Sequence, residues 1–503
     1  MSDATTSLAA PPGGRPASIR LTALIIASAL FMEGIDSTVL ATALPTMAHS
    51  FGVDPLQMNV ALTSYLLSLA VCLPASGRAA DRFGARNVFR AAIGMFTLGS
   101  VLCAQADSLT FLVVARVVQG IGGAMMTPVG RLVLLKTVSK SELVSAMAWL
   151  LIPATAGPIL GPPLGGFIVT YLSWRWIFYI NVPFGLLGIV LVSLFIREVR
   201  EPEPAPFDVT GLLLSGVTLF CLMAALEAAG RGIGSGGLAV GLFAAAVAGG
   251  ALYWRHARTQ AQPVLDFGLM RIPTFRISVL SGSLSRIAVG AVPFLLPMML
   301  QVGFGDSAAR SGGITFAGSI GALFMRPFAP RLLRRIGFRN TLIWVGLAST
   351  ALLATSAAFR PSWPVPAIFG VLVVIGFVQS LQFMGYNTIA YADVPRARMS
   401  AATSFYTTIQ QLCLTLGIGV SAAALAASVA LNGHARAMPG DFSAAYLFVA
   451  CVAIFAPLVA TRLDPMAGAE LSGQTAAAVQ APLRMRVGAS LRLLRRRVAG
   501  RIG

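Results

Sequence analysis

Long apolar runs interrupted by short charged or proline-containing breaks set the pattern of this chain from about residue 21 to residue 461. Windows of about twenty apolar residues, the length at which a helix crosses a hydrocarbon core, fall near 21–44, 58–76, 88–104, 109–130, 143–170, 176–196 and 209–229. Seven more fall near 236–254, 274–300, 311–325, 341–358, 364–384, 400–430 and 444–461. Two breaks stand out: 197–206, reading REVREPEPAP, and the basic, proline-containing 255–273, with two windows between them. The pattern predicts an all-α polytopic membrane protein of fourteen transmembrane helices. Its parts are a polar arm (1–20), a six-helix bundle (21–196), a linker with two additional helices (197–270), a second six-helix bundle (271–463) and a basic tail (464–503). Two such bundles enclose a site near the membrane midplane.

Charge fixes which way the helices face. With the N-terminus in the cytoplasm, 30 of the 37 Lys and Arg fall in cytoplasmic loops or tails and five outside: Arg175, Arg231, Arg310, Arg360 and Arg436. This is the positive-inside asymmetry, and one miscounted helix inverts every later loop. Both termini are therefore expected in the cytoplasm.

Composition narrows the function. The chain is 56% hydrophobic and 11% charged, with a mean hydropathy of +0.79, so most of its solvent is lipid. The net charge of +19 is scattered between apolar runs and forms no stripe for nucleic acid. The five cysteines each sit in an apolar run and read as small buried hydrophobes. His49, His256 and His434 are far apart and outside the apolar runs, so neither metal-site spacing nor an intramembrane hydrolase constellation is present. The only lysines, Lys136 and Lys140, follow no glycine, so the chain lacks a GxxxxGK(S/T) phosphate loop and no cofactor is expected. The start of the chain does not read as a removed signal peptide, because its first apolar stretch holds Glu33 and Asp36.

Several short motifs carry more. After the second span comes Gly77-Arg78-Ala79-Ala80-Asp81-Arg82-Phe83-Gly84-Ala85-Arg86, with glycines for a tight turn and an acid among arginines for a charge clamp. A degenerate copy, Arg326 to Arg339, has Arg334 where the first has Asp81. The fourth span holds Arg116-Val117-Val118-Gln119-Gly120-Ile121-Gly122-Gly123-Ala124. In the fifth, Gly157-Pro158 and Gly161-Pro162 precede Gly165-Gly166, and Gly157, Gly161 and Gly165 share a face that lets another helix approach closely. These segments resemble the signatures of the major facilitator superfamily: the loop GxLaDRxGrk, the RxxqGxgaA helix and the doubled Gly-Pro of its antiporters. Together with Glu33 to Pro45 and Trp174 to Pro183, they are similar to the fourteen-helix drug:proton antiporter family, and residues 54–270 resemble its MdtD-like branch.

The resemblance implies proton-coupled export of amphipathic drugs or toxic compounds across a bacterial inner membrane, with Asp36 as main proton carrier, Glu33 its partner and Arg116 assisting proton transfer. Glu33 and Asp36 lie three residues apart on one helix face, where burial and mutual repulsion suit proton loading near neutrality. The third acid within a span, Glu227, is expected to be peripheral. Arg286, a cation within a span, either anchors an anionic substrate or pairs with Glu33 or Asp36. Gln301, Gln379, Gln382, Tyr386, Asn387 and Gln410 are further candidates for the cavity wall. An alternative on the same fold is export of a small organic anion, metal chelate or siderophore. Expected partners are the lipid bilayer, the transported molecule and protons; some family members use a periplasmic adaptor protein, of which this sequence carries no sign.

Overall fold

The structure, a computed structural model, describes residues 19–137, 143–196, 198, 208–230, 236–260, 263–395 and 398–468. The expected polar arm up to residue 18, most of the 197–206 break and the tail beyond 468 lie outside the described residues, as does the side chain of Glu227. In chain order the helices are α1 (Ile19–Phe51), α2 (Asn59–Cys72), α3 (Ser76–Phe83), α4 (Ala85–Ala104), α5 (Leu109–Thr137), α6 (Leu143–Tyr171), α7 (Trp176–Tyr179), α8 (Asn181–Phe195) and α9 (Val209–Gly230). They continue as α10 (Gly236–Thr259), α11 (Pro273–Met298), α12 (Ala308–Met325), α13 (Ala329–Ile336), α14 (Phe338–Thr355), α15 (Val365–Ile389), α16 (Met399–Leu431), α17 (Pro439–Ala453) and α18 (Phe455–Ala460). No strand occurs among the described residues. This is the form an apolar chain takes in lipid, where every backbone N–H and C=O must find its partner within the segment.

Twelve of the fourteen predicted windows coincide with helical segments long and apolar enough to cross a membrane. The remaining two windows are occupied by α6 and α12, which fall outside that set. α12 is 18 residues long and carries Arg310 with several glycines and serines, which dilute its apolar character.

The two ends of the molecule differ. We call the end near Ile19 proximal and the end near Phe51 distal. At the distal end a single apolar core draws on both bundles, from Val39, Leu44 and Phe178 to Phe294, Leu300 and Phe442. Toward the proximal end the cores separate: one holds Ile26, Phe89 and Val133 of the first bundle, and two others hold Leu333 with Phe338 and Phe275 with Phe405 of the second. Polar contacts reinforce the distal seam. The backbone N–H of Ala309 donates to Thr170 Oγ1 at 2.9 Å, and Gln301 Nε2 donates to the Thr42 carbonyl at 3.1 Å. Gln301 sits in a π-helical turn, Met299–Gly303, that extends α11.

The α9–α10 hairpin lies across the lateral seam between α2 and α16. Gly216 of α9 faces Val71, and Met223 and Leu226 of α9 face Gly419. α10 packs on α9 and leaves Leu238, Val240, Phe243, Val247 and Leu252 exposed, a surface that fits lipid and not water. His256 Nε2 and Asp208 Oδ1, 2.7 Å apart, close the hairpin at its proximal end.

The two loop motifs fold alike. α3 and α13 are eight-residue helices, and each ends on a glycine, Gly84 (φ 91°) or Gly337 (φ 81°), from which the next long helix starts directly. Positive φ strains any residue with a Cβ, which accounts for glycine at both corners. The repeat read in the sequence is thus a repeat of backbone shape.

Candidate functional site

Asp36, midway along α1, is 1% exposed, and so is Arg116 of α5. Arg116 Nη1 donates to Asp36 Oδ2 at 2.6 Å. The second carboxylate oxygen, Oδ1, accepts from Gln119 Nε2 at 2.8 Å and from Asn181 Nδ2 at 3.0 Å. Ser100 Oγ accepts from both of those amides, at 2.8 and 3.3 Å. Arg116 is also held from the other side: its Nε donates to the Ala61 carbonyl at 3.2 Å, its Nη1 to Gln119 Oε1 at 2.6 Å, and its guanidinium lies 4.2 Å from the Tyr65 ring centre. Five helices (α1, α2, α4, α5 and α8) therefore converge on one buried ion pair, whose desolvation is offset by hydrogen bonds on both partners.

Glu33 lies one helical turn closer to the proximal end. It is half-buried and accepts from Thr127 Oγ1 of α5 at 2.9 Å. No ion pair to Glu33 forms among the described residues. The two acids of α1 take different partners: Asp36 turns to Arg116 and Glu33 to Thr127.

For Arg286 the structure removes one of two alternatives. It pairs with neither acid of α1, because Asp36 is committed to Arg116 and Arg286 sits within the second bundle. At 3% exposure it has no carboxylate partner among the described residues. Its Nη2 donates to Tyr406 Oη at 3.1 Å, and its guanidinium lies 5.0 and 5.3 Å from the Tyr406 and Phe383 ring centres. Its Nε has no hydrogen-bond partner. Gly282, one turn earlier, leaves the space into which the guanidinium folds; a Cβ there would meet Nη1 at 2.5 Å.

The other candidates for the cavity wall fall in four places. Tyr386 is buried beside Arg286, bonded to Ser281 Oγ at 2.6 Å, and Ser278 joins Tyr386 to Tyr406. Asn387 and Gln410 are half-buried and joined at 2.6 Å across α15 and α16. Gln379 and Gln382 instead line a cavity of about 10 Å³ with Ser285, Ser349 and Thr350, inside the second bundle. That is room for about one water. Gln301 belongs to the distal seam.

The glycines of α6 place its backbone directly against α1. A Cβ on Gly157 would meet the Phe31 carbonyl at 2.6 Å, one on Gly165 the Val39 carbonyl at 2.6 Å, and one on Gly161 Thr38 Oγ1. Pro158 fills the gap left by Gly34, and Gly166 and Pro162 abut α12 at Ala308 and Gly312. The helix carrying Asp36 is therefore gripped by the Gly-Pro helix, which also touches the second bundle.

In the first loop motif, Gly77 is exposed, Asp81 is half-buried and Arg82 is exposed on α3. Arg86 Nε stands 3.7 Å from Glu198 Oε2, and the Arg86 backbone N–H donates to Glu198 Oε1 at 3.2 Å. Glu198 thus caps the start of α4, a role hidden in the sequence because its charged surroundings read as a linker. Gln119, Asn181, Ser100 and Thr127 were likewise missed as site residues. Asn181, a lone amide entering an apolar run, was the clearest available signal.

Comparison with known proteins agrees with this architecture. The family model described as Major Facilitator Superfamily matches residues 26–418. A protein of Serratia proteamaculans (strain 568), provisionally named multidrug resistance protein MdtD, is 38% identical over 452 residues, covering 88% of this chain and 93% of its own length. A protein of the same provisional name from Klebsiella pneumoniae (strain 342) is 39% identical over 409 residues, covering 81% of this chain and 86% of its own. Among solved structures, the nucleoside transporter NupG (TM-score 0.63, 88% of this chain and 99% of that one) and a D-xylose-proton symporter (TM-score 0.62, 88% and 97%) share the fold at 15% identity.

Proposed function

The chain belongs to the major facilitator superfamily, a multi-pass membrane transporter family, and on that premise we propose that it is a proton-coupled antiporter exporting amphipathic toxic compounds across a bacterial inner membrane by alternating access. The observation that carries the reading is the buried Asp36–Arg116 pair. A proton arriving at Asp36 cancels its charge, while Arg116 keeps the Ala61 carbonyl, Gln119 Oε1 and the Tyr65 ring as partners. These partners limit the several kcal/mol that an uncompensated buried cation costs when Asp36 is protonated. Because α1 packs backbone to backbone on α6, and α6 on α12, a change at Asp36 reaches the seam that must open for the bundles to rock.

Positive-inside asymmetry puts the proximal end in the cytoplasm. The parted proximal cores and shared distal core then describe an inward-facing form, ready to receive cargo from the cytoplasm. Glu33, half-buried and in no ion pair among the described residues, would attract cationic amphiphiles, and the name of the relatives at 36–39% identity supports drugs as cargo. The bilayer, the cargo and protons are the partners in this reading; a periplasmic adaptor has no feature of the described residues behind it.

Arg286 favours a second reading. A buried guanidinium with no carboxylate partner among the described residues is suited to the carboxylate of an organic anion or siderophore. Acidified inverted vesicles carrying a pH-sensitive dye separate the two. Proton release on adding lipophilic cations, lost in Asp36→Asn, supports drug export; release only with small carboxylates, lost in Arg286→Gln, supports anion export. Proton release by lipophilic cations that is unchanged in Asp36→Asn overturns the assignment of Asp36.

A further inference from the structure

A cavity of about 460 Å³ lies at the proximal end, between the last turns of α10, the 3-10 turn Phe267–Arg271 and the start of α11. Its wall carries Arg258, Arg271 and Arg276, the rings of Trp254 and Phe267, and one acid, Asp266. Asp266 is already neutralised: Arg398 Nη2 donates to its Oδ2 at 2.6 Å and the Gly268 N–H to its Oδ1 at 2.9 Å. The three arginines form no ion pair among the described residues. Arg258 only stacks on Trp254, 4.7 Å from the ring centre.

We infer that this cavity binds the phosphodiester headgroup of an anionic phospholipid. Three guanidinium groups around one cavity match the charge and the several acceptor oxygens of a phosphate. The cavity opens beside the lipid-facing surface of α10, where Val247, Leu252 and Trp254 are exposed, so acyl chains of a bound lipid can lie along that helix while its headgroup enters the pocket. Trp254 lies near the end of α10, and tryptophan is enriched where membrane helices meet headgroups; basic pockets between membrane helices are suited to anionic lipids. A lipid held there bridges α10 to α11 and fastens the extra hairpin to the bundle that carries Arg286.

Delipidated full-length protein in detergent is titrated with phosphatidylglycerol, phosphatidylcholine and inorganic phosphate, reading retained lipid by native mass spectrometry and the thermal midpoint. Phosphatidylglycerol is expected to be retained and to raise the midpoint, and the other two to do neither. R258Q/R271Q/R276Q is expected to weaken retention about tenfold or more, about 1.4 kcal/mol. The control R331Q/R335Q, on α13, leaves it unchanged. Should the triple variant not fold, R258Q alone, an exposed side chain, is expected to weaken retention measurably. Equal retention of phosphatidylcholine, or wild-type retention in the arginine variants, overturns the inference. Inorganic phosphate raising the midpoint as much as phosphatidylglycerol marks a soluble-anion site and overturns the lipid assignment.

Discussion

Replacing Asp36 with asparagine keeps the shape of the side chain but removes the charge that Arg116 faces at 2.6 Å. Breaking a buried ion pair by deleting one partner typically costs about 3–5 kcal/mol, because the other charge is left uncompensated. Here the cost belongs at the low end. Asparagine still offers Oδ1 to Gln119 and Asn181, and Arg116 retains the Ala61 carbonyl, Gln119 Oε1 and the Tyr65 ring. A loss of about 3 kcal/mol in unfolding free energy is expected for Asp36→Asn. Arg116→Gln, which strands the carboxylate instead, is expected to lose a similar amount. Combining the two leaves a neutral amide network, so the double variant should be less damaged than the sum of the singles, with a coupling of about 2 kcal/mol. Unfolding of the four proteins in detergent measures that coupling. Single losses that add to within about 0.5 kcal/mol would mean the two residues are energetically independent, and the pair could not then carry the proton-linked mechanism.

The remaining predictions test the helix seams. Gly165→Ala drives a Cβ into the Val39 carbonyl and Thr42 Oγ1 and is expected to destabilise the protein and abolish transport, whereas Gly370→Ala, with nothing within 4 Å, should be neutral or stabilise by up to about 1 kcal/mol; equal behaviour of the two in unfolding and vesicle assays would contradict the tight α1–α6 packing. The double variant Thr170→Cys/Ala309→Cys is expected to cross-link across the distal seam under oxidation and halt turnover until reduced. Full turnover by cross-linked protein would show that this seam does not open during transport.

Much of the architecture was legible in the chain because lipid makes hydrophobicity nearly decisive: an apolar run of about twenty residues has few alternatives to a spanning helix. Helix order, the hairpin between two bundles and the glycine corners at Gly84 and Gly337 all follow from local pattern. So does the close-packing face of α6, since residues four apart on a helix must lie together. What local pattern does not contain is the partner of each polar group. Glu33 and Asp36 share a helix and a spacing, yet one meets Thr127 and the other Arg116. Arg286 resembles Arg116 as a lone cation within a span, yet among the described residues it lacks the carboxylate that Arg116 has. Gln301 and Gln382, read alike as cavity wall, separate into a distal seam and the interior of a bundle. The sequence by itself determined which segments are long and apolar enough to cross a membrane, because transfer to lipid is a sum over each segment's own residues. Only the tertiary structure decided which buried charges are paired, because pairing depends on helix rotation and on neighbours 80 or more residues away.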